Sequence, residues 1–149
     1  MIEPKIIGSF ELVSFSEFGV SNVIAKVDTG AYSGTMHATN MLEVEDDGKH
    51  SLWFYPLGNE ALKTVSENYK VKQIRSSNGQ LENRYVITTK IVLQGQEYPI
   101  SISLADRSAM MKSVLIGRKF LRRHNFIVDV RKGTQYAYAV KEDQQGKQS

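Results

Sequence analysis

The 149-residue sequence has no cysteine, which removes disulfide frameworks, thiolate metal ligands and sulfur redox chemistry at once and fits a reducing compartment. Its three histidines, His37, His50 and His124, are scattered, and no His-Glu-x-x-His pair is present, so no metal site is expected from spacing. There is no Gly-x-x-x-x-Gly-Lys-Ser/Thr loop and no dinucleotide fingerprint, so no nucleotide cofactor is expected either. No apolar run approaches the roughly 20 residues of a membrane helix. The N-terminus also lacks a basic segment leading into an apolar signal core, and a cytoplasmic protein without membrane contact is the expectation. Charge of one sign is nearly absent as a surplus: 19 basic against 16 acidic residues leave +3. The densest basic cluster, Arg118, Lys119, Arg122, Arg123 and His124, has no interleaved aromatic platform, so it reads as a solvated helix face and not as a nucleic-acid patch.

What is present is an ordinary core-forming composition, 41% apolar and 23% charged, at a length that suits one domain. Residues 1–140 are read as that domain, and residues 141–149, with no apolar side chain, as a disordered polar tail. Period-two patterning dominates. Tyr85, Ile87, Thr89, Ile91 and Leu93 share one face of a long strand over 81–93, and Tyr98, Ile100, Ile102 and Leu104 share one face of the next. Lys5 to Phe15 reads as a strand or a bulged pair broken at Gly8, Thr35 to Val44 and Ser51 to Tyr55 as strands joined by an Asp47-Gly48 turn, and Tyr69 to Arg75 as a strand turning at Asn78-Gly79. Pro56 to Asn68 reads as loop, Asp106 to Ser113 as a connector with room for one helical turn capped by Asp106, Gly117 to His124 as a helix of about two turns, and Phe126 to Val130 and Tyr136 to Val140 as closing strands. Many short strands with one small helix predict an all-β closed barrel.

Within this pattern the stretch Val23 to Val27 is a strand that stops at Asp28. Thr29 can turn its hydroxyl onto local backbone and Gly30 permits a tight turn, so the Asp28 carboxylate would sit on a rigid loop. The same residues equally suit a plain turn at a strand end. His37, nine residues on, can be either a packed histidine or, with Asp28, part of a metal-dependent hydrolytic site.

Asp28-Thr29-Gly30-Ala31 resembles the active-site loop of aspartic proteases, and Val114-Leu115-Ile116-Gly117-Arg118-Lys119-Phe120-Leu121 is similar to the apolar Gly-Arg strand and helix of the retropepsins. With Ile74 to Arg84 and Pro99 through Asp106-Arg107, the set resembles the bacterial and archaeal retropepsin-like family labelled ATP-dependent zinc proteases, whose members can neighbour or fuse to ATP-grasp peptide ligases. The resemblance implies a retropepsin-like barrel and an aspartic endopeptidase acting on extended peptides, with Asp28, Thr29 and Gly30 catalytic. It places Ala31, Tyr32, Leu115, Ile116 and a flap tip at Ser77, Asn78, Gly79 and Gln80 against substrate, and it suggests a functional link to an ATP-grasp ligase and a glutamate-rich or ligase-modified peptide. One chain carries one such aspartate, whereas the reaction needs two, so a homodimer is implied. Alternatives are a silent peptide-binding barrel and a metal-dependent peptidase using Asp28 and His37. Two departures stand out. Tyr32 and Ser33 occupy positions where retropepsins carry an acidic partner for the arginine matched by Arg118, and Tyr32 replaces an arginine common in the bacterial family.

Overall fold

The computed structural model describes residues 3–75, 79–108 and 111–138. In these the chain forms β1 (Lys5–Gly8), β2 (Phe10–Phe15), β3 (Val20–Val27), β4 (Gly34–Asp46), β5 (Lys49–Pro56), β6 (Thr64–Ser66), β7 (Tyr69–Arg75), β8 (Leu81–Leu93), β9 (Gln96–Ala105), β10 (Val114–Ile116), the helix α1 (Arg118–Arg123) and β11 (Phe126–Asp129). Six strands close in the order β10-β3-β2-β8-β9-β4, with β4 returning to β10. The expected all-β closed barrel is what the chain adopts. Among the described residues no helix is long and apolar enough to cross a membrane.

The period-two patterns become the barrel wall. Ile87, Ile91 and Leu93 of β8 are fully buried and Thr89 nearly so, while Tyr98, Ile100, Ile102 and Leu104 of β9 complete the same layer. Phe15, Met36, Leu52 and Phe54 fill the interior from the other strands. The turns follow their residues: Asp47 and Gly48 have φ of 55° and 83°, Gln94 and Gly95 of 50° and 77°, the left-handed pair that two-residue hairpins require.

At Gly8 the first strand divides, and the reason is steric. A Cβ there would stand 2.6 Å from the Lys132 carbonyl oxygen. The close approach lets β1 pair in parallel with β11 in its own small sheet while β2 enters the barrel.

Two expectations fail. Pro56 to Asn68 is not all loop, because Asn59 Oδ1 accepts from Ala61 N–H at 3.0 Å and caps a 3-10 turn, after which β6 pairs with β5. Three strand residues are too few to show alternation. No strand forms over 136–138: Thr134–Tyr136 is a 3-10 turn, and Lys112 Nζ donates to the Tyr136 carbonyl at 2.7 Å, taking an acceptor that a ladder would use. Val140 and the polar tail lie outside the described residues. Asp106 Oδ1 accepts from Ser108 N–H at 3.0 Å, and residues 109 and 110 of the connector, on which the expected helical turn falls, lie outside the described residues.

Candidate active site

The Asp28 loop joins β3 to β4, and β10 lies between those two strands, parallel to β3 and antiparallel to β4. Asp28 N–H donates to the Ile116 carbonyl at 2.9 Å, which extends the β3–β10 ladder one residue past Val27. The chain then turns. Asp28 Oδ1 accepts from Gly30 N–H at 2.9 Å, and Ala31 N–H donates to the Asp28 carbonyl at 3.2 Å, so both the backbone and one carboxylate oxygen are fixed while the side chain stays half-exposed.

The loop is also the cap of the helix. Arg118 N–H donates to the Ala31 carbonyl at 2.9 Å and Lys119 N–H to the Tyr32 carbonyl at 3.0 Å, satisfying two of the donors that a helix N-terminus leaves open. This fit demands glycine at two points. A Cβ on Gly117 would stand 2.6 Å from the Tyr32 oxygen, and one on Gly34 would stand 2.7 Å from the Leu115 oxygen, both against backbone that cannot move aside. The Gly-Arg signal therefore has a local physical cause: the Asp28 loop, β10 and α1 interlock through bare backbone.

Among the described residues Arg118 pairs with no carboxylate. Its guanidinium donates to the Thr29 carbonyl at 3.3 Å and lies 5.5 Å from the Tyr32 ring centre, with Lys119 Nζ 6.0 Å from the same ring. Tyr32, half-exposed, takes over as the partner of these cations through its π face.

Asp28, Thr29, Gly30, Ala31 and Tyr32 thus share one loop, with Leu115 half-buried in the strand beside it. Ile116 differs from the expectation of a substrate contact: its side chain is fully buried in the core of the single chain, and its carbonyl holds Asp28. Gly79 and Gln80 are exposed just before β8, in a hairpin that runs from the Tyr69–Ile87 pair out to Arg75–Leu81. Ser77 and Asn78 lie outside the described residues.

His37 belongs to a different corner. Its N–H donates to the Ser113 carbonyl, at the start of β10, whereas Asp28 is held at Ile116, the end of that strand. The ring is buried, its Nδ1 accepts from Arg107 N–H at 2.8 Å, and its Nε2 faces Gly58. An imidazole held in this way organises the loop after β9. Among the described residues no group of three or more His, Asp or Glu side chains is arranged around a metal position.

Sequence reasoning missed the cations around the groove. Lys72 and Arg84 stand directly opposite one another on β7 and β8, and with Lys119, Ser33, Ser101 and Ser103 they line a cleft that has no acidic lining residue. Arg107, half-buried, is fixed at its amide by His37 and at Nε by the Lys112 carbonyl, 3.4 Å away. Burial holds its pKa below the ordinary value, the Arg84 guanidinium adds to that, and the Asp28 carboxylate opposes it. Lys112 is itself buried, which pushes its pKa down. A sequence signal existed only in the alternation that puts Lys72 and Arg84 on one face; the contribution of Arg107 depends on a turn that no periodicity encodes.

Comparison with known proteins bears on this site. A family model described as retropepsin-like aspartic endopeptidase RimB matches residues 6–136. The chain is 32% identical over 127 residues to a probable alpha-L-glutamate ligase of Shewanella halifaxensis, covering 82% of this chain and 28% of that protein. It is 35% identical over 123 residues to one from Desulfotalea psychrophila, covering 79% and 26%. It therefore spans under a third of the length of these relatives. The crystal structure of a DUF785 protein of unknown function from Legionella pneumophila superposes with a TM-score of 0.70 at 26% identity, covering 87% of this chain and 95% of that one.

Proposed function

Because the chain belongs to the RimB-like family of retropepsin-like aspartic endopeptidases, we propose that it is one half of a homodimeric peptidase whose catalytic pair is Asp28 from each of two copies. The observation that carries this reading is the mounting of Asp28: a half-exposed carboxylate fixed by Gly30 N–H, its own N–H held by the Ile116 carbonyl at the end of β10, on a loop that α1 locks from behind. A two-fold axis beside that loop would bring the two carboxylates together, and like charges at that distance share one proton. The ionised Asp28 takes a proton from water as the oxygen attacks the scissile carbonyl carbon. The protonated Asp28 gives its proton to the carbonyl oxygen, forming the tetrahedral diol. Collapse of the diol returns a proton to the leaving nitrogen as the C–N bond breaks.

In this reading Thr29 bonds across the axis beneath the carboxylates, Gly30 permits the approach of the two loops, and the β7–β8 hairpin covers an extended peptide by backbone pairing. Ala31, Tyr32 and Leu115 line the groove. The ligase names of the relatives support a functional link to a glutamate ligase, as a separate or a fused partner.

The test is cleavage measured beside sedimentation over a dilution series. Activity per chain falls as dimer dissociates. A peptide with a statine-type diol mimic inhibits it, and chelators leave it intact. Full activity from a demonstrated monomer overturns the shared pair; loss with chelator and recovery with zinc overturns the water-activating dyad in favour of a metal at Asp28 and His37.

A further inference from the structure

Where β5 and β6 extend the far half of β4, an open sheet edge and a cleft meet. Among the described residues β6 pairs only with β5, so its outer edge carries no ladder partner. Such an edge offers backbone donors and acceptors to an incoming strand, and proline or charge is the usual means of blunting it. Thr64-Val65-Ser66 has neither. Val65, 53% exposed, stands opposite Trp53, which stands opposite Leu42, 60% exposed, so an apolar row crosses three strands and ends at the open edge. Lys63 Nζ lies 4.2 Å from the Trp53 ring centre, on that row. Thr64 and Ser66 alternate onto the other face, opposite the buried Phe54 and Leu52.

On this second face the edge borders a cleft of about 450 Å3, closed on its other sides by the 3-10 turn Ser16–Phe18 and by Thr88 of β8. Its charged lining residues are Glu17 and Glu67, and no Lys or Arg lines it. The walls are fixed: Ser66 Oγ accepts from Asn68 N–H at 3.2 Å, and the Asn68 carbonyl accepts from Thr88 N–H at 3.2 Å. Glu17 Oε1 is anchored by the hydroxyl of the buried Thr89. Glu67 pairs with Lys49 at 3.5 Å, both side chains well exposed, so this contact gives way to another cation at little cost. The cleft is not the Asp28 groove. Phe18 comes before β3 and Asp28 after it, and the strand between them spans eight residues, roughly 25 Å.

We propose that the β6 edge binds an extended basic segment of a partner protein, which adds as a further strand beside β6 and places a Lys or Arg side chain in the cleft between Glu17 and Glu67. Backbone pairing supplies affinity, and the alternation of an added strand supplies the sequence rule. Residues facing inward meet the two carboxylates, while the residue between them continues the row of Leu42, Trp53 and Val65. The segment therefore reads basic, apolar, basic. The chain itself carries that pattern in Lys70-Val71-Lys72 of β7, so a second copy is the occupant from which a partner has to be told apart. The inference is independent of Asp28 and of the peptidase reading.

The experiment uses the full chain carrying Asp28→Asn, so that no peptide is cut, and short fluorescent Thr- and Val-rich peptides centred on Lys-Val-Lys, Gln-Val-Gln or Glu-Val-Glu. The Lys-Val-Lys peptide binds about tenfold tighter than the Gln-Val-Gln one, the Glu-Val-Glu peptide binds weakest, and the preference falls with salt. Glu17→Gln and Glu67→Gln each reduce the preference and the double variant removes it, with thermal melts showing that each variant is folded. Backbone use is read with two further Lys-Val-Lys peptides, N-methylated at adjacent residues: only the one whose methyl replaces an N–H aimed at β6 loses binding. Equal binding of basic and neutral peptides, binding of none of them, a preference that survives in the double variant, or full binding by both N-methylated peptides overturns the proposal. Sedimentation of the chain alone covers the remaining case. Self-association that the double variant abolishes, with no peptide bound, overturns the partner and gives the edge to a second copy.

Discussion

Asp28 at the end of β3 and Asp129 at the end of β11 make the same turn. Each carboxylate oxygen Oδ1 accepts from the N–H two residues on, Gly30 at 2.9 Å and Arg131 at 3.0 Å. What separates them is where the arginines go. Arg131 forks onto Asp129 through Nε and Nη2, both at 3.0 Å, and holds its carboxyl down to about 2. Arg118, next to the Asp28 loop, instead donates to the Thr29 carbonyl and lies against Tyr32. Local turn geometry thus does not mark a catalytic aspartate. Asp129 is clamped in an arginine fork, whereas the arginine beside Asp28 is held by a backbone carbonyl and a ring, and the proposed role of Asp28 rests on that difference.

The sharpest way to break the comparison is to remove each carboxylate's chemistry while keeping its shape. Asp28→Asn is expected to abolish peptide cleavage with the melting temperature unchanged or raised, since the amide keeps the size and removes repulsion across the axis. Cleavage on a diverse peptide set, with calorimetry alongside, checks it; residual cleavage at wild-type level would place the chemistry elsewhere. Next in size is Gly117→Ala. Its Cβ would stand against the backbone of Tyr32 and Ser33 and should cost about 3 kcal/mol, an overpacking loss that drives the Asp28 loop off α1. Denaturant unfolding measures it. Gly117 has φ of −95°, which any residue adopts, so an unchanged stability would mean that the interlock yields to a Cβ.

His37→Ala follows. The Arg107 amide would lose its acceptor in a buried corner, at a cost of about 2 kcal/mol. A structural histidine predicts that this loss appears in unfolding midpoints and is the same with and without added zinc.

How far the sequence carried the reading depends on whether a feature was periodic. Ile87, Ile91, Ile100 and Ile102 announced two barrel strands because alternation over ten or more residues has few other causes. Asp28, Gly30, Leu115 and Gly117 were legible as an ordered pair of segments, and the backbone interlock between them is the reason that both are needed. β6 was lost because three residues carry no period, and the expected strand after Gly133 because the Lys112 ammonium, far away in sequence, takes the Tyr136 carbonyl. That the Ile116 side chain points into the core was not legible, since its apolar neighbours look alike from sequence and only the register decides which of them faces inward. The placement of Arg107 was invisible, because its backbone is held by a hydrogen bond from its amide to a histidine 70 residues earlier.

The smallest expected effect returns to Asp129. In the folded chain its carboxyl sits at about 2 against an ordinary 3.8, with the Arg131 side chain as the main cause and the Arg131 amide as the second. A lowered folded value means that the unfolded chain binds the proton first as pH falls. The stabilisation by the pair is therefore complete above the unfolded value and is lost as pH drops through the folded one. Arg131 is largely exposed, so solvent and salt screen the contact and the effect stays modest. Asp129→Asn should melt slightly below the wild type at pH 7, with the gap closing between pH 4 and pH 2. Melting curves of the two proteins across that range, at low and at high salt, decide the matter. A gap that persists unchanged at pH 2 would mean that Asp129 acts through the shape of the turn, which it shares with Asp28, and not through the charge of its fork.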